Sequence, residues 1–238
     1  MRATRPAPRH RGVAESRPVK LSCTLAIATC AGLLVAACGD DSGTAPTTAA
    51  EPGPATCAPA DGTAARVTTF TEAPPMCLVE GTAYVALVET NFGSLHVDLR
   101  ADIAPVTVNN FVNLARFHYF DGTVCHRAIR NFVVQCGDPT ATGGGNPGYR
   151  IPDELALIEP YRFGSLAMAN SGVPDSGGSQ WFIITGDDGA LLPPNYTLFG
   201  QVIDDDFGIV AQLEAVSNPG DGPPLEPIEI ISITIEER

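Results

Sequence analysis

The stretch C-H-R-A-I-R-N-F-V-V-Q-C-G-D, from Cys125 to Asp138, constrains this chain more than any other. Two short apolar runs flank Arg130-Asn131, so residues 122–137 read as a hairpin with that pair at a tight turn. On this reading Cys125 and Cys136 face each other across the two strands. Opposed Cβ atoms in an antiparallel pair lie within disulfide reach, so a Cys125–Cys136 bridge is expected, with two buried free thiols as the alternative. The same fold-back gathers Arg127, Phe132 and Gln135. A fixed guanidinium, an aromatic floor and an amide make an unusual trio for a hairpin that only packs a core.

The rest of the chain reads as many short strands with few helices. Ala83–Thr90 and Ser94–Arg100 are two strands with Asn91-Phe92-Gly93 at their turn. Val108, Phe111, Val112 and Ala115 recur at helical spacing behind Pro105, which predicts a helix over about 105–117. The runs G-S-L-A-M-A-N, Q-W-F-I-I-T and Y-T-L-F-G-Q-V, within 164–202, predict three more strands. A second helix is expected over Asp206–Ala215 and a last strand over Pro227–Glu236, with Ile228, Ile230 and Ile233 in the core. The Gly-rich run 139–150 lacks a following Lys or helix, so it reads as a surface loop and not a phosphate cradle. The pattern is mainly β, a barrel or a sandwich.

The N-terminus differs. Six basic residues and one acidic residue precede position 38, with a short apolar run from Leu21 to Ala37. A charged head, an apolar stretch and small residues mark a secretory leader over 1–37, and the run falls short of the roughly 20 residues of a membrane span. V-A-A-C at 35–38 resembles a bacterial lipobox, which implies lipidation of Cys38 and an extracytoplasmic protein anchored to the bacterial cell membrane; an uncleaved anchor or an ordinary leader is the alternative. Residues 38–81, rich in Pro, Ala and Thr, are expected to form a flexible tether, with 66–81 ordered if Cys57 bridges Cys77. The folded domain is expected over 82–238.

Without the leader, 8 of the 14 basic and 26 of the 27 acidic residues remain, a formal charge of −18 with no lysine. Such a surface repels phosphate backbones and anionic lipids, so nucleic-acid binding is not expected and membrane attachment is left to the lipid. Of seven cysteines, two leave with the leader and Cys38 would carry the lipid, so four remain free to pair, Cys57, Cys77, Cys125 and Cys136. An even number in an oxidising space favours disulfides, and a Cys57–Cys77 bridge is expected beside Cys125–Cys136. Without a C-x-x-C pair or a His cluster, no metal site is expected.

The stretch from Cys125 resembles the F-H-R-x-x-x-x-F-x-x-Q-x-G-D signature of cyclophilins, the peptidyl-prolyl cis-trans isomerases, departing at its first position, where Cys125 replaces a usual Phe. S-L-A-M-A-N, G-S-Q-W-F-I and Y-T-L-F-G-Q-V resemble further blocks of that family in the same order, over about 83–236. The resemblance implies a closed eight-stranded antiparallel β-barrel capped by two α-helices, a monomer without cofactor, and an isomerase that assists folding of extracytoplasmic, proline-containing polypeptides.

By the same resemblance Arg127, Phe132 and Gln135 are catalytic. Val133, Phe182 and Leu192 join Phe132 around the substrate proline, Ala169 lines the groove, Asn170 and Gln180 meet the substrate backbone, and Tyr196 stands where the family has His or Tyr. Leu191 falls where some members carry Trp. His126 reads as a structural hydrogen-bonder, since the reaction needs no acid or base. The alternative is a non-catalytic proline-peptide-binding or chaperone module on a membrane tether. A solute-binding lipoprotein would need a two-domain α/β chain, which the few helices oppose.

Overall fold

The computed structural model describes residue 53 and residues 55–155 and 159–238. The expected leader and the expected lipidation site Cys38 lie outside the described residues. Strand β1 (Tyr84–Thr90) turns through Asn91-Phe92 into β2 (Gly93–Leu99), followed by α1 (Pro105–Arg116). Then come the short β3 (Thr123–Val124), β4 (Arg127–Ile129) and β5 (Val133–Cys136). Strands β6 (Ser165–Met168) and β7 (Trp181–Ile184), a single-turn α2 (Asp187–Ala190), β8 (Leu198–Val202), α3 (Phe207–Ala215) and β9 (Glu229–Glu237) complete the order. Pro105 opens α1, where a missing N–H costs nothing. Glu154 accepts hydrogen bonds from the N–H groups of Val106 (3.0 Å) and Thr107 (2.8 Å), filling two orphan donors of the first turn.

The nine strands form one sheet in the order β3-β9-β1-β2-β8-β6-β7-β5-β4. Where its pairings are named they are antiparallel. The expected closed eight-stranded barrel is therefore corrected to an open, curled nine-stranded sheet. The two edge strands, β3 and β4, are successive pieces of one run of chain, separated only by Cys125-His126, and do not pair with each other. The outer edge of β4 is occupied otherwise: Ala128 N–H donates to Gly222 O and Arg130 N–H to Asn218 O. That loop blunts the edge without closing a barrel.

Alternation along the strands sorts the apolar side chains into two clusters. Tyr84, Ala86, Val88, Leu95, Val97 and Leu99 point inward with Phe111, Trp181 and Phe199, whose rings pack 5.2–5.9 Å from Phe111. Ile228, Ile230 and Ile233 are buried in the same interior. A second cluster lies on the other face, built on Val133, Phe182, Ala167, Ile184, Leu198 and Tyr161.

The hairpin register differs from expectation by one residue. Arg127 pairs with Gln135 and Ile129 with Val133, so Arg130, Asn131 and Phe132 all lie in the connection. Phe132 N–H closes the turn on Ile129 O, Asn131 takes φ +58°, and Phe132 O leaves the ladder to accept Thr185 N–H. Cys125 is bonded to Cys136, with Cα atoms 4.0 Å apart, but not as a rung of the β4–β5 ladder. Cys125 N–H donates to Ile228 O, so the bridge joins the end of β5 to the bend between β3 and β4.

Residues 55–65 are ordered where a flexible tether was expected, and residues 66–81 are ordered with the Cys57–Cys77 bridge in place. Cys57 is bonded to Cys77, Phe70 is buried in the main cluster, and two side chains of α1 grip the backbone. Asn109 accepts from Cys77 N–H and donates to Pro75 O; Asn113 accepts from Ala58 N–H and donates to Thr56 O. A segment too poor in apolar residues for its own core is ordered by borrowing one.

Candidate active site

The corrected register has a consequence on the outer face. Arg127 pairs with Gln135, Gln135 with Phe182, Phe182 with Ala167, and Ala167 with Leu198. One row therefore crosses β4, β5, β7, β6 and β8, polar at one end and apolar at the other. The expected register would have set Arg127 opposite Val134, which faces the interior.

Asp221 grips the guanidinium of Arg127 like a fork: Nε donates to Oδ1 at 2.7 Å and Nη2 to Oδ2 at 3.1 Å. Nη1 donates to Gln135 Oε1 at 3.3 Å. Arginine has five N–H donors, so one on Nη1 and one on Nη2 remain for another acceptor. The cation stands 5.9 Å from the centroid of the Phe132 ring. The hydrogen bond from Arg127 lowers the pKa of the Asp221 carboxyl from its ordinary value, so Asp221 is an anion at neutral pH.

Gln135 is itself oriented. Its Nε2 donates to Gln180 Oε1 at 2.9 Å, and Gln180 Nε2 donates to the carbonyls of Gly143 (3.0 Å) and Gly145 (2.9 Å). Two carbonyl acceptors require the NH₂ end of Gln180, which sets its oxygen towards Gln135 and the oxygen of Gln135 towards Arg127. The glycine carbonyls are held in turn by Asp138, fully buried, which accepts from the N–H groups of Thr140, Thr142, Gly143 and Gly145. Burial pushes the Asp138 carboxyl up, but the bonds from Thr140, Gly145 and Gly143 outweigh it and hold the pKa at about 2. Gly145 has no alternative, because a Cβ there would collide with the Asp138 carboxylate.

The apolar end is a shallow bowl. Phe132, Ala169, Leu192 and Tyr196 are half-buried around Val133 and Phe182, and the Tyr196 ring meets Phe182 edge-on at 5.2 Å. Asn170 Nδ2 donates to Asn195 O across the rim. Leu191 stands exposed beside Leu192. Beyond Gln135 and Gln180 lies a polar cavity of about 460 Å³ that also borders Ala169 and Asn170. The structure thus brings Arg127, Phe132, Val133, Gln135, Ala169, Asn170, Gln180, Phe182, Leu192 and Tyr196 onto one face, while Cys57 and Cys77 lie on the N-terminal segment. His126 departs from expectation: its Nδ1 is buried without a hydrogen-bond partner among the described residues. Burial lowers its pKa, with Asp138 opposing, so the ring is neutral at pH 7.

Sequence reasoning missed Asp221 and Asp138. Asp221 lies 94 residues from Arg127 in an irregular stretch with no periodicity to betray it. Asp138 did leave a signal, an Asp followed by P-T-x-T-G-G-G, where the N–H groups beyond the Pro suit a carboxylate-centred turn. Among the described residues no group of three or more His, Cys, Asp or Glu side chains is placed to hold a metal ion. The site offers a fixed cation, oriented amides and an apolar bowl.

The family model for cyclophilin type peptidyl-prolyl cis-trans isomerases/CLD matches residues 85–235. The probable peptidyl-prolyl cis-trans isomerase A of Mycobacterium leprae is 39% identical over 170 residues, covering 63% of this chain and 91% of that protein. A putative peptidyl-prolyl cis-trans isomerase of Staphylococcus aureus is 36% identical over 184 residues, with coverages of 63% and 91%. Among solved structures, a cyclophilin type isomerase of Cryptosporidium parvum aligns with a TM-score of 0.60 at 31% identity, covering 66% of this chain and 99% of its own. A structure of that protein in the presence of the dipeptide Ala-Pro aligns with a TM-score of 0.59 at 32% identity, covering 65% and 99%.

Proposed function

We propose, from the premise that this chain belongs to the cyclophilin-type peptidyl-prolyl cis-trans isomerase family, that its isomerase activity is carried by Arg127 acting on a proline seated in the bowl of Phe132, Val133, Phe182 and Leu192. An X-Pro bond has cis and trans forms of similar energy separated by about 18–20 kcal/mol of amide resonance. Twisting the C–N bond removes that resonance and leaves a lone pair on the proline nitrogen. A guanidinium held in place before the twist stabilises that lone pair and not the planar ground states. The observation that carries this reading is the fork of Arg127 with Asp221 and its brace by Gln135, at the lip of the bowl.

Asp221 and Gln135 take three of the five N–H groups and fix the plane of the cation. The bowl supplies apolar contact to the pyrrolidine ring, and Gln135, Gln180 and Asn170 face the flanking backbone. The Ala-Pro dipeptide present with the Cryptosporidium structure supports a proline-bearing ligand for this groove. The direct test is exchange spectroscopy on a short Ala-Pro peptide with catalytic amounts of the oxidised protein. Acceleration is expected; a folded, oxidised sample that leaves the exchange rate unchanged overturns the reading.

The basic head, the apolar run and Val35-Ala36-Ala37-Cys38 support an extracytoplasmic, lipid-anchored protein that acts on secreted polypeptides. Among the described residues no helix is long and apolar enough to cross a membrane. Labelling of producing cells with a tagged fatty acid should mark the chain and should not mark Cys38→Ser. Equal labelling of both overturns the assignment of Cys38.

A further inference from the structure

The N-terminal segment 55–81 lies outside the region matched by the family model, yet its contacts lead to the rim of the groove. Two asparagines one helical turn apart on α1 hold it on either side of the Cys57–Cys77 bridge. Asn113 binds the backbone flanking Cys57, and Asn109 binds Cys77 and the backbone before it. From this anchorage the chain runs to Phe70. The Phe70 ring packs on Phe117 at 5.4 Å and on Tyr149 at 6.2 Å, and Phe70 N–H donates to Pro147 O at 2.7 Å.

Gly148 makes the approach possible: its φ is +102°, and a Cβ there would strike the Phe70 carbonyl. Gly148 and Tyr149 are also walls of the polar cavity beside Gln135 and Gln180. Tyr149 OH donates to Asn110 Oδ1 at 2.6 Å, and Asn110 Nδ2 donates to Gly178 O at 2.7 Å, so the same helix ties down a third wall residue. One side of the cavity therefore rests on α1 and on the segment that α1 grips.

We propose that residues 55–81 are a strap that positions the Gly148-Tyr149 wall of the polar cavity, and that this chain uses the strap to hold the residues flanking the substrate proline. The inference rests on the reading of the groove as a prolyl-peptide site. Phe70 and the Cys57–Cys77 pair are positioning residues, acting through Pro147, Gly148 and Tyr149 and never touching the rotating C–N bond of the X-Pro amide. A strap that served stability alone would leave the choice among peptides untouched.

The test compares two substrates in the full chain: a short Ala-Pro peptide that fills the bowl, and one extended on both sides. In Phe70→Leu, KM for the extended peptide should rise roughly threefold to tenfold while kcat/KM for the short peptide stays within about twofold. Should Phe70→Leu fail to fold, selective reduction of the Cys57–Cys77 bridge, exposed at Cys57 and half-buried at Cys77, in the folded parent gives the same comparison, because Cys125 and Cys136 are buried. Equal changes for the two peptides, or none, overturn the strap proposal while leaving the isomerase reading intact. A parent inactive on both peptides overturns the isomerase reading, and the strap proposal with it.

Discussion

Trp181 and Phe182 are neighbours in β7, both aromatic and both buried, and they serve different structures. Trp181 lies in the interior, edge-on to Phe111 and Phe120, closed on every side by α1 and the curled sheet. Phe182 lies on the opposite face, where the half-buried Phe132, Leu192 and Tyr196 surround it and the polar row from Arg127 borders it. The inner cluster is complete. The outer cluster is an apolar surface ringed by groups that are already oriented, as a binding site requires. Burial alone does not separate the two; what separates them is the neighbouring row.

The sharpest break of that comparison is a truncation on each face. Trp181→Ala should cost about 3–5 kcal/mol of stability, read from denaturant melts, with any surviving folded protein still active. Phe182→Leu should do the reverse, raising KM about tenfold at a stability cost under about 1.5 kcal/mol. Equal stability costs for the pair would mean that the outer cluster is simply more core. Next in size is the buried bridge. Replacing Cys125 and Cys136 by Ala removes a short cross-link worth about 3 kcal/mol in the chain-entropy account, and should lower the melting temperature without changing KM for the short peptide.

The oriented row has its own test in acid. Asp138 has a folded pKa of about 2, below the roughly 3.9 of an unfolded aspartate. Its contribution to stability, on the order of 2–3 kcal/mol, is therefore present above about pH 5 and is lost as pH falls towards 2. Asp138→Asn should flatten that part of the stability–pH curve; an unchanged curve would show that Asp138 does not organise the loop. Smallest is the exposed fork. Asp221→Asn should lower kcat a few-fold and leave the melting temperature within about 2 °C, since exposed ion pairs add little stability. Loss of folding in that variant would make Asp221 structural.

Much of this was legible in residues and little of it in geometry. The V-V-Q-C of β5 and the W-F-I-I of β7 mark strands by composition alone, and Pro227–Glu236 by alternation, with Ile228, Ile230 and Ile233 in the core. The hairpin register was not legible, because a turn of two residues and a connection of three look alike until Phe132 is seen to leave the ladder for Thr185. Closure of the sheet was not legible either, since it depends on whether β3 and β4 pair or merely follow one another. The strap defied its composition because its order comes from elsewhere: from Asn109 and Asn113 on a helix whose apolar positions alone were read. The Arg127–Gln135 pairing falls within the one-residue error, so their shared face emerged only from the ladder.

In the proposed mechanism a guanidinium fixed by Asp221 and Gln135 performs the isomerisation. The measurement that tests it most directly is the rate of cis–trans exchange of the short Ala-Pro peptide with Arg127→Ala, beside a thermal melt of the same sample. One preorganised donor is worth roughly a hundredfold to a thousandfold in rate, so the account predicts that acceleration falls by about that factor while the melt is preserved. A well-folded Arg127→Ala protein that isomerises the peptide as fast as the parent would contradict it.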